Sequence, residues 1–256
     1  MTSVLSKRLP ALEAMRKYPD PLFYRGDTAL LDRVKLSIVG SRRPDTYAAT
    51  ATQQLAAKLA GAGVCIVSGG AMGVDGIAHA AAGAGSTIAV LANGLDIRYP
   101  AVNRKLLESV EEKGLLLSPF EDGFRAQNWS FVVRNEIVVA LGEALIVTQA
   151  DENSGSMRSV EYALKMGKKI YVLPHRLGES GGTNRLLAEG KAEAIYDIDA
   201  FVGRYGEAVR CGDDPFLAFC RNRPTYEEAV RCYPQELFQY ELEGKVAVVS
   251  GRVVPV

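Results

Sequence analysis

Short apolar runs alternate with helical patterns from residue 35 to about residue 200, and this alternation limits the possible fold more than any other feature of the sequence. Most of the runs are apolar throughout, as expected of strands that are covered on both faces of a parallel sheet. Strand, helix and strand repeated in this way predict a doubly wound α/β sheet. The predicted strands are Lys35–Val39, Cys65–Ser68, Thr87–Leu91, Leu115–Ser118, Ala144–Thr148, Lys169–Leu173 and Ala194–Tyr196.

Helical patterns fill the gaps between these strands, so the sheet is predicted to be mostly parallel and Rossmann-like. In such a sheet, ligands bind in a crevice beyond the carboxyl ends of the strands. Binding residues are therefore expected in the loops that follow the strands. The predicted helices are Tyr47–Leu59, Val74–Ala82, Val102–Lys113, Val132–Leu141, Met157–Met166 and Asn184–Ala188.

The two ends of the chain lack this alternation. Residues 1–34 predict an irregular, partly helical lead-in, and residues 35–205 form the predicted Rossmann-like domain. Residues 214–256 predict two or three short helices and then a β-hairpin that turns at Gly251, the order of a small winged-helix-like domain. The helices are Phe216–Cys220, Thr225–Val230 and Gln235–Leu242, and the hairpin strands are Lys245–Ser250 and Arg252–Val256.

The composition is that of a globular protein. Apolar residues make up 48% of the 256 residues and charged residues 23%, which excludes wholesale disorder. No apolar stretch reaches the roughly 18 residues that a bilayer span needs, and the first residues hold no apolar run of signal-peptide length. A cytoplasmic protein without a membrane span is expected.

The cysteines and histidines predict neither a metal site nor a cofactor. The four cysteines include no CxxC pair, and His79 and His175 are the only imidazoles. Because structural zinc sites draw their ligands from closely spaced pairs, no metal ligand is expected among these residues. Reduced thiols fit a cytoplasmic protein.

The charge of the chain is balanced overall and uneven locally. The chain has thirty basic and thirty acidic residues. Residues 1–50, however, contain nine basic and five acidic residues, and residues 154–191 contain seven basic and three acidic residues. One basic face is enough to bind nucleic acid, although scattered solvated side chains would give the same counts. Residues 204–256 carry seven basic and eight acidic residues, which speaks against phosphate binding by the C-terminal domain.

The first strand is followed by a loop that suits an anion. Gly40 lets the chain turn sharply, Ser41 offers a hydroxyl, and Arg42 and Arg43 stand where a helix begins. The free N–H groups at the start of a helix favour negative charge. This loop is therefore predicted to bind phosphate.

The second strand is followed by a glycine-rich loop. Ser68, Gly69 and Gly70 open it, and the glycines allow close approach of a phosphate. Asp75 is expected to cap the helix that follows and, like His79, to support the loop. His79, one turn later, is expected to pack on the glycine loop or to bond to it, and so to support the loop rather than to act as a base.

Two later loops and one helix start complete the predicted site. The loops contain Asn93–Gly94 and Ser154–Gly155–Ser156. The helix start brings Phe131 together with Arg134 and Asn135, and stacking combined with charge is how proteins hold single strands. The same residues would also be expected at an ordinary helix start with buried aromatic side chains and one arginine on the surface. Four anion-tolerant loops on one edge of a sheet predict a phosphate-bearing ligand.

The motifs of common nucleotide-dependent and hydrolytic enzymes are missing from the sequence. The first loop reads GSRRP rather than GxGxxG, and neither GxxxxGK[ST] nor GxSxG occurs. The two histidines stand far apart and have no neighbouring cysteine in the sequence. No catalytic residue is predicted, and the chain is expected not to be an enzyme.

Taken in order, the motifs resemble those of the DNA-processing protein A family, also called DprA or Smf. The matching segments are collinear and cover roughly residues 18–202. They include FYRGD, SIVGSRRPDTYA, VSGGAMGVDGIAHAAA, GSTIAVLANGLDIRYPAVNRKLL, GLLLSPF, FVVRNEIVVAL, IVTQADENSGSMRSVEYAL and YVLPH.

The resemblance implies a protein that binds single-stranded DNA in natural transformation, protects it from nucleases and helps to load the RecA recombinase. It also implies a homodimer formed through the Rossmann-like domain, and leaves open whether duplex DNA binds. The family's phosphate-holding positions fall here on Gly40, Ser41, Arg42, Ser68, Gly69, Gly70, Arg134, Asn135 and Ser154–Ser156.

An enzyme of the phosphoribohydrolase type, which cleaves a nucleotide's N-glycosidic bond on a related sheet, is the alternative. Its PGGxGTxxE motif would be expected where residues 152–161 read ENSGSMRSVE, and it is not there. The chain also departs from the DprA pattern at Glu136, where a basic residue usually follows Arg-Asn.

Overall fold

The computed structural model describes residues 2–205, 215–221, 224–249 and 251–255. The chain forms two compact units, Met1–Gly206 and Glu207–Val256. No helix in these described ranges is long and apolar enough to cross a lipid bilayer.

The first unit is built on one nine-stranded sheet, in the order β1-β2-β6-β5-β4-β3-β7-β8-β9. Strands β3 to β9 are parallel to one another, whereas β2 pairs antiparallel with β6 and β1 pairs antiparallel with β2. The strands are β1 (Ser3–Val4), β2 (Phe23–Gly26), β3 (Lys35–Val39), β4 (Cys65–Ser68), β5 (Thr87–Val90), β6 (Leu115–Ser118), β7 (Ala144–Val147), β8 (Lys169–Val172) and β9 (Glu193–Ala194).

Helices cover both faces of this sheet, as the prediction of a doubly wound fold requires. They are α1 (Thr46–Gly61), α2 (Val74–Ala82), α3 (Arg104–Lys113), α4 (Asn128–Leu141), α5 (Gly155–Lys165), α6 (Gly181–Ala188) and α7 (Ile198–Val202). Short 3-10 helices lie at Pro10–Ala14, Thr28–Asp32, Ala84–Ser86 and Ala101–Asn103.

Successive residues of each strand point to opposite faces, so each strand contributes to two cores. On one face, Leu36 and Ile38 of β3 pack with Leu55 of α1. On the other face, Val67 of β4 packs in one cluster with Ile137 of α4. The mostly parallel α/β fold predicted from the sequence is confirmed.

The lead-in segment belongs to this sheet, which the sequence did not predict. β2 pairs with β6 and β1 with β2, so two strands of the lead-in segment supply the antiparallel edge of the sheet. The side chains of Phe23–Tyr24–Arg25 are only half-buried, and such a strand lacks the long apolar run that marks the central strands. Covering the edge of the parallel sheet removes an exposed row of main-chain hydrogen-bonding groups.

Helix α4 begins four residues before the predicted Val132. Gln127 and Ser130 form a capping box, in which the Gln127 N–H donates to Ser130 Oγ over 2.9 Å. The sequence pattern placed the start at the apolar run instead, because a Gln–Ser pair is a weaker signal than the usual Ser/Thr–Glu box.

The second unit has the predicted order of elements, three helices and then a hairpin. They are α8 (Pro215–Arg221), α9 (Tyr226–Cys232), α10 (Pro234–Leu242), β10 (Val246–Val249) and β11 (Arg252–Pro255). Leu237 of α10, Val246 and Val253 lie in its core. Ser250 and Val256, the predicted last residues of the two hairpin strands, lie outside the described residues, and the winged-helix assignment stays a prediction.

Candidate nucleic-acid interface

A cleft opens where the order of the strands reverses. From β3 the chain continues through β4, β5 and β6 on one side and then returns to β7 on the other, so β3 and β7 flank the topological switch point. The cleft has a volume of about 400 Å³. It is lined by Val39, Gly40, Ser41, Arg42, Ala71, Asp75, Arg134, Asn135, Asp151, Ser154, Gly155, Ser156 and Ser159.

The loop after β3 forms one wall of the cleft. Gly40 has no room for a side chain, because a Cβ atom there would lie 2.7 Å from Val74 Cγ2. The Ser41 N–H donates to the Gln149 carbonyl oxygen over 2.8 Å, which joins this loop to the one after β7. Arg42 is exposed, so its guanidinium is available to a ligand.

The glycine loop after β4 is held by two buried charged side chains. The Gly69 N–H donates to Asp75 Oδ2 over 3.1 Å, and Arg134 donates to the carbonyl oxygens of Gly69 and, over 3.1 Å, of Val90. A Cβ atom on Gly69 would overlap the Arg134 guanidinium and lie 2.8 Å from Asp75 Oδ2. Only glycine fits between these two groups.

Burial dominates the electrostatics of this pair. It raises the pKa of the Asp75 carboxyl, and the positive charge of Arg134 opposes that rise. It lowers the pKa of the Arg134 guanidinium, which the charge of Asp75 opposes and that of Arg42 reinforces. Within the described residues the two side chains form no direct ion pair; both bond to the glycine loop and line the cleft.

The N-terminus of α5 forms the opposite wall. Ser154 is the N-cap residue, and its Oγ is buried without a hydrogen-bond partner in the described part of the chain. The Ser156 hydroxyl donates to the Gly40 carbonyl oxygen over 2.9 Å. Since the first N–H groups of a helix have no partner inside the helix, they are available to an anion that enters here.

An apolar pocket adjoins the cleft and shares Arg42 and Arg134 with it. The guanidinium carbons of these arginines lie 5.6 and 5.9 Å from the ring centroid of Phe131, within the range of cation–π attraction. The Tyr99 ring lies 6.3 Å from that of Phe131. The pocket is lined by Arg42, Gly69, Ala71, Met72, Leu91, Ala92, Asn93, Tyr99, Pro100, Phe131 and Arg134.

Several predicted site residues do not offer a side chain to the cleft. Ser68 is fully buried and its hydroxyl donates to the Ile38 carbonyl oxygen over 2.6 Å, because the last residue of β4 points into the sheet. Arg43 is exposed and lies outside both linings. Gly70 is buried with a φ of +67°, so it shapes the turn of the loop.

The Asn93–Gly94 turn is also structural. The Asn93 side-chain amide donates to the carbonyl oxygens of Gly94 and Ile97 over 2.9 and 2.8 Å. A Cβ atom on Gly94 would overlap the Glu121 carbonyl oxygen, so this glycine is required for close packing. Asn93 lines the apolar pocket while its amide is used within the turn.

Asp75 contacts the glycine loop but is not the N-cap of α2, and His79 does not bond to the loop. Asp75 lies in the first turn of α2 and accepts hydrogen bonds from the glycine loop, whereas Gly73 occupies the N-cap position. His79 bonds Thr87 Oγ1 of β5 through Nδ1 over 2.6 Å rather than the glycine loop. Asp75 is thus the loop support, and His79 joins α2 to the sheet.

Glu136 does not line the cleft. Its Oε1 accepts a hydrogen bond from the Arg16 N–H over 2.9 Å and so ties α4 to the lead-in segment. Glu136, which replaces a basic residue of the family pattern, thus holds the lead-in segment against α4.

Four of the lining residues that the sequence did not predict have polar or large side chains. Asp151 and Ser159 line the cleft, and Met72 and Tyr99 line the pocket. Tyr99 could have been found, since an aromatic residue followed by proline ends the loop that contains Asn93. Met72 and Ser159 carry no signal of their own in the sequence.

Comparison with known proteins gives a consistent match over the first unit. Residues 3–206 match the family described as DNA recombination-mediator protein A. The chain is 35% identical over 202 residues to DNA processing protein DprA of Bacillus subtilis, covering 77% of this chain and 68% of that protein. It is 38% identical over 186 residues to a putative DNA processing protein DprA of Mycobacterium tuberculosis, covering 70% of this chain and 47% of that one.

A solved structure has the same fold. DNA processing protein A of Helicobacter pylori, described for its single-stranded DNA binding mode, superposes with a TM-score of 0.78 at 42% identity, covering 79% of this chain and 94% of that one. The chain thus spans nearly all of that structure, about two thirds of the B. subtilis relative and about half of the M. tuberculosis relative.

Proposed function

The chain belongs to the DNA recombination-mediator protein A family, and from that premise we propose that it binds single-stranded DNA in the cleft between β3 and β7. The phosphates lie against Arg42, the glycine loop and the N-terminus of α5. A base next to the bound phosphate stacks in the apolar pocket on Phe131. Stacking combined with backbone charge tolerates any sequence, because every base has an aromatic face.

The observation that carries this proposal is that Arg42 and Arg134 both lie close to the ring of Phe131. The two guanidinium carbons lie 5.6 and 5.9 Å from its ring centroid, so one aromatic surface adjoins two positive charges. A phosphate in the cleft and a base in the pocket are neighbours in a nucleotide, and the two sites share both arginines. The cleft alone would suit any phosphate-bearing ligand.

We propose that the bound strand is protected from nucleases and handed to a RecA-type recombinase during natural transformation, in the cytoplasm. The protein acts as a homodimer, because one short groove binds weakly and two linked grooves raise avidity. Light scattering at micromolar concentration should then give about twice the chain mass of 27.6 kDa. A monomer with undiminished DNA binding would contradict the dimer and leave the cleft proposal intact.

The DNA proposal is tested by fluorescence anisotropy with labelled oligonucleotides of several unrelated sequences, single-stranded and duplex, over a series of salt concentrations. Affinity for the single strand should exceed that for the duplex. It should also fall by roughly 0.7 log units per log unit of salt for each phosphate neutralised. Equal affinity for both forms, or a flat salt response, would contradict it.

The same protein should not release a base from nucleoside 5′-monophosphates. Glu161, which stands where the phosphoribohydrolase motif would end, lies on α5 and is exposed outside the cleft lining. The cleft carboxylate of Asp75 is already bonded to main-chain N–H groups of the glycine loop. Release of a free base, followed by chromatography, would favour the enzyme instead.

A further inference from the structure

Three side chains with metal-ligating atoms converge outside the cleft lining. They are Asp45, at the N-cap of α1, and His175 and Glu179, in the loop between β8 and α6. Their ligand atoms all lie within 4.8 Å of one another. The loops after β3 and β8 supply them, and these strands flank β7 in the sheet. The sequence does not predict this group, because Asp45 is far from His175 and Glu179 in the chain.

The hydrogen bond of His175 leaves one ring nitrogen available to a metal ion. Its Nε2 lies 2.8 Å from the Thr148 carbonyl oxygen. A carbonyl oxygen only accepts, so Nε2 carries the hydrogen and the neutral ring has its lone pair on Nδ1. Nδ1 is buried and has no hydrogen-bond partner in the described part of the chain. Metal-bound histidines are usually fixed through the other ring nitrogen in this way.

Asp45 is held in place and keeps coordinating capacity. Its Oδ1 accepts from the Ala48 N–H over 2.7 Å, and its Oδ2 accepts from Gln149 Nε2 over 2.9 Å. Each carboxylate oxygen has a second lone pair, so these bonds leave room for a metal ion.

Glu179 provides the adjustable ligand. Atoms bound at about 2.0–2.2 Å to one ion lie roughly 3–4 Å apart, so the group must close slightly around a metal. Glu179 is exposed on a loop, so rotation of its side chain can bring its carboxylate closer to Asp45 and His175.

We propose that Asp45, His175 and Glu179 bind one divalent transition-metal ion of the zinc type, through His175 Nδ1 and one oxygen of each carboxylate. Imidazole nitrogen together with carboxylate oxygen suits Zn²⁺ and its neighbours better than Mg²⁺ or Ca²⁺, which prefer oxygen ligands alone. A water molecule completes the coordination. The inference does not depend on the proposed DNA binding.

The test is a titration of the full chain with Co²⁺, followed by visible absorbance, and displacement of Co²⁺ by Zn²⁺. Cys211 and Cys232 are first replaced by serine so that thiols do not compete for the ion. One ion per chain should bind. His175→Ala and Glu179→Gln should each weaken binding at least tenfold, whereas Glu161→Gln, a change of an exposed glutamate on α5, should have no effect.

Two results would overturn the proposal. One is the absence of saturable binding, and the other is binding that His175→Ala leaves unchanged. Glu179→Gln is the variant that is expected to fold normally, because it alters only an exposed loop side chain. Circular dichroism checks the fold of each variant. Imidazole ¹⁵N NMR gives a second reading, since Zn²⁺ should shift Nδ1 of one histidine and leave His79 unchanged.

Discussion

Asp75 and Arg134 bond to the two ends of the same residue: the carboxylate of Asp75 accepts the Gly69 N–H, and the guanidinium of Arg134 donates to the Gly69 carbonyl oxygen. Both side chains are buried. A buried charge is costly unless it is paired or hydrogen-bonded, so this arrangement is kept only while the glycine loop has its present shape. These bonds hold the loop in shape without a ligand, and a preorganised loop loses less entropy on binding.

Gly69→Ala is expected to destabilise the first unit by about 1–3 kcal/mol, because the added methyl group overlaps the Arg134 guanidinium and forces overpacking. Urea unfolding measures the change in the free energy of unfolding. Gly61→Ala is the matched control, since nothing lies within 4 Å of a Cβ there and the position ends α1. An effect of Gly69→Ala no larger than that of Gly61→Ala would contradict the close fit.

Stability should depend on pH through His79. Burial, and in second place the charge of Arg134, lowers the pKa of His79 to about 3, below the 6.5 of an exposed histidine. The unfolded chain therefore binds a proton more readily than the folded one, and stability is lost as the pH falls from 6.5 towards 3. Between pH 7.5 and pH 5 the loss should be about 2 kcal/mol.

The matched variant for this test is His79→Asn, whose side-chain amide can still donate to Thr87. The difference in unfolding free energy between the parent protein and the variant isolates His79, because His175 and the carboxylates are common to both. The difference in unfolding free energy should become smaller as the pH is lowered, because only the parent protein loses the contribution of His79. Parallel pH profiles would show that His79 keeps an ordinary pKa in the folded protein.

The sheet could be predicted from the sequence because its central strands are buried on both faces and leave continuous apolar runs. The glycine and serine loops could be predicted for a related reason, since each follows such a run. β2 could not, because a short strand of half-buried residues next to the edge strand β1 has no comparable pattern.

The direction of individual side chains was the harder part. Ser41 and Ser68 both stand at the end of a strand in a glycine-containing segment, yet Ser41 lines the cleft and Ser68 bonds inside the sheet. Asp75 has the spacing of a helix cap, but the positive φ of Gly73 turns the chain so that its carboxylate reaches back to the loop. Such differences depend on one or two backbone angles, which residue types alone do not determine.

Arg42 and Arg43 give a paired test of the cleft. Arg42 lines it, whereas Arg43 is exposed outside the lining. Arg42→Ala should weaken binding of unrelated single strands about tenfold, the cost of one charge-assisted contact, and reduce the salt slope by about 0.7. Arg43→Ala removes the same charge from the neighbouring position and should change affinity less than about threefold. A loss confined to particular sequences would argue for a base contact by Arg42.

Phe131→Leu separates stacking from charge. It removes the ring that faces both arginines while keeping an apolar side chain of similar burial. Affinity for single strands should fall roughly tenfold, because one base–aromatic stack is worth about 1–3 kcal/mol. The salt slope should stay unchanged, since no phosphate contact is lost. If the slope fell together with the affinity, Phe131 would act by positioning the arginines instead.

The C-terminal unit should contribute little to DNA affinity. Helix α10 carries Glu236 and Glu241 and no lysine or arginine, and it exposes Phe238 and Leu242, which suit contact with a protein. A chain that ends after Tyr205 keeps all nine strands of the first unit. It also keeps the hydrogen bond of 2.9 Å that the Tyr205 hydroxyl donates to the Tyr171 hydroxyl. Its affinity for single-stranded DNA should stay within about threefold of the full chain at the same salt concentration.

Circular dichroism and light scattering first establish that the shortened chain is folded and has the same oligomeric state. A loss beyond about tenfold, or 1.4 kcal/mol, in such a chain would place the main DNA site in the C-terminal unit.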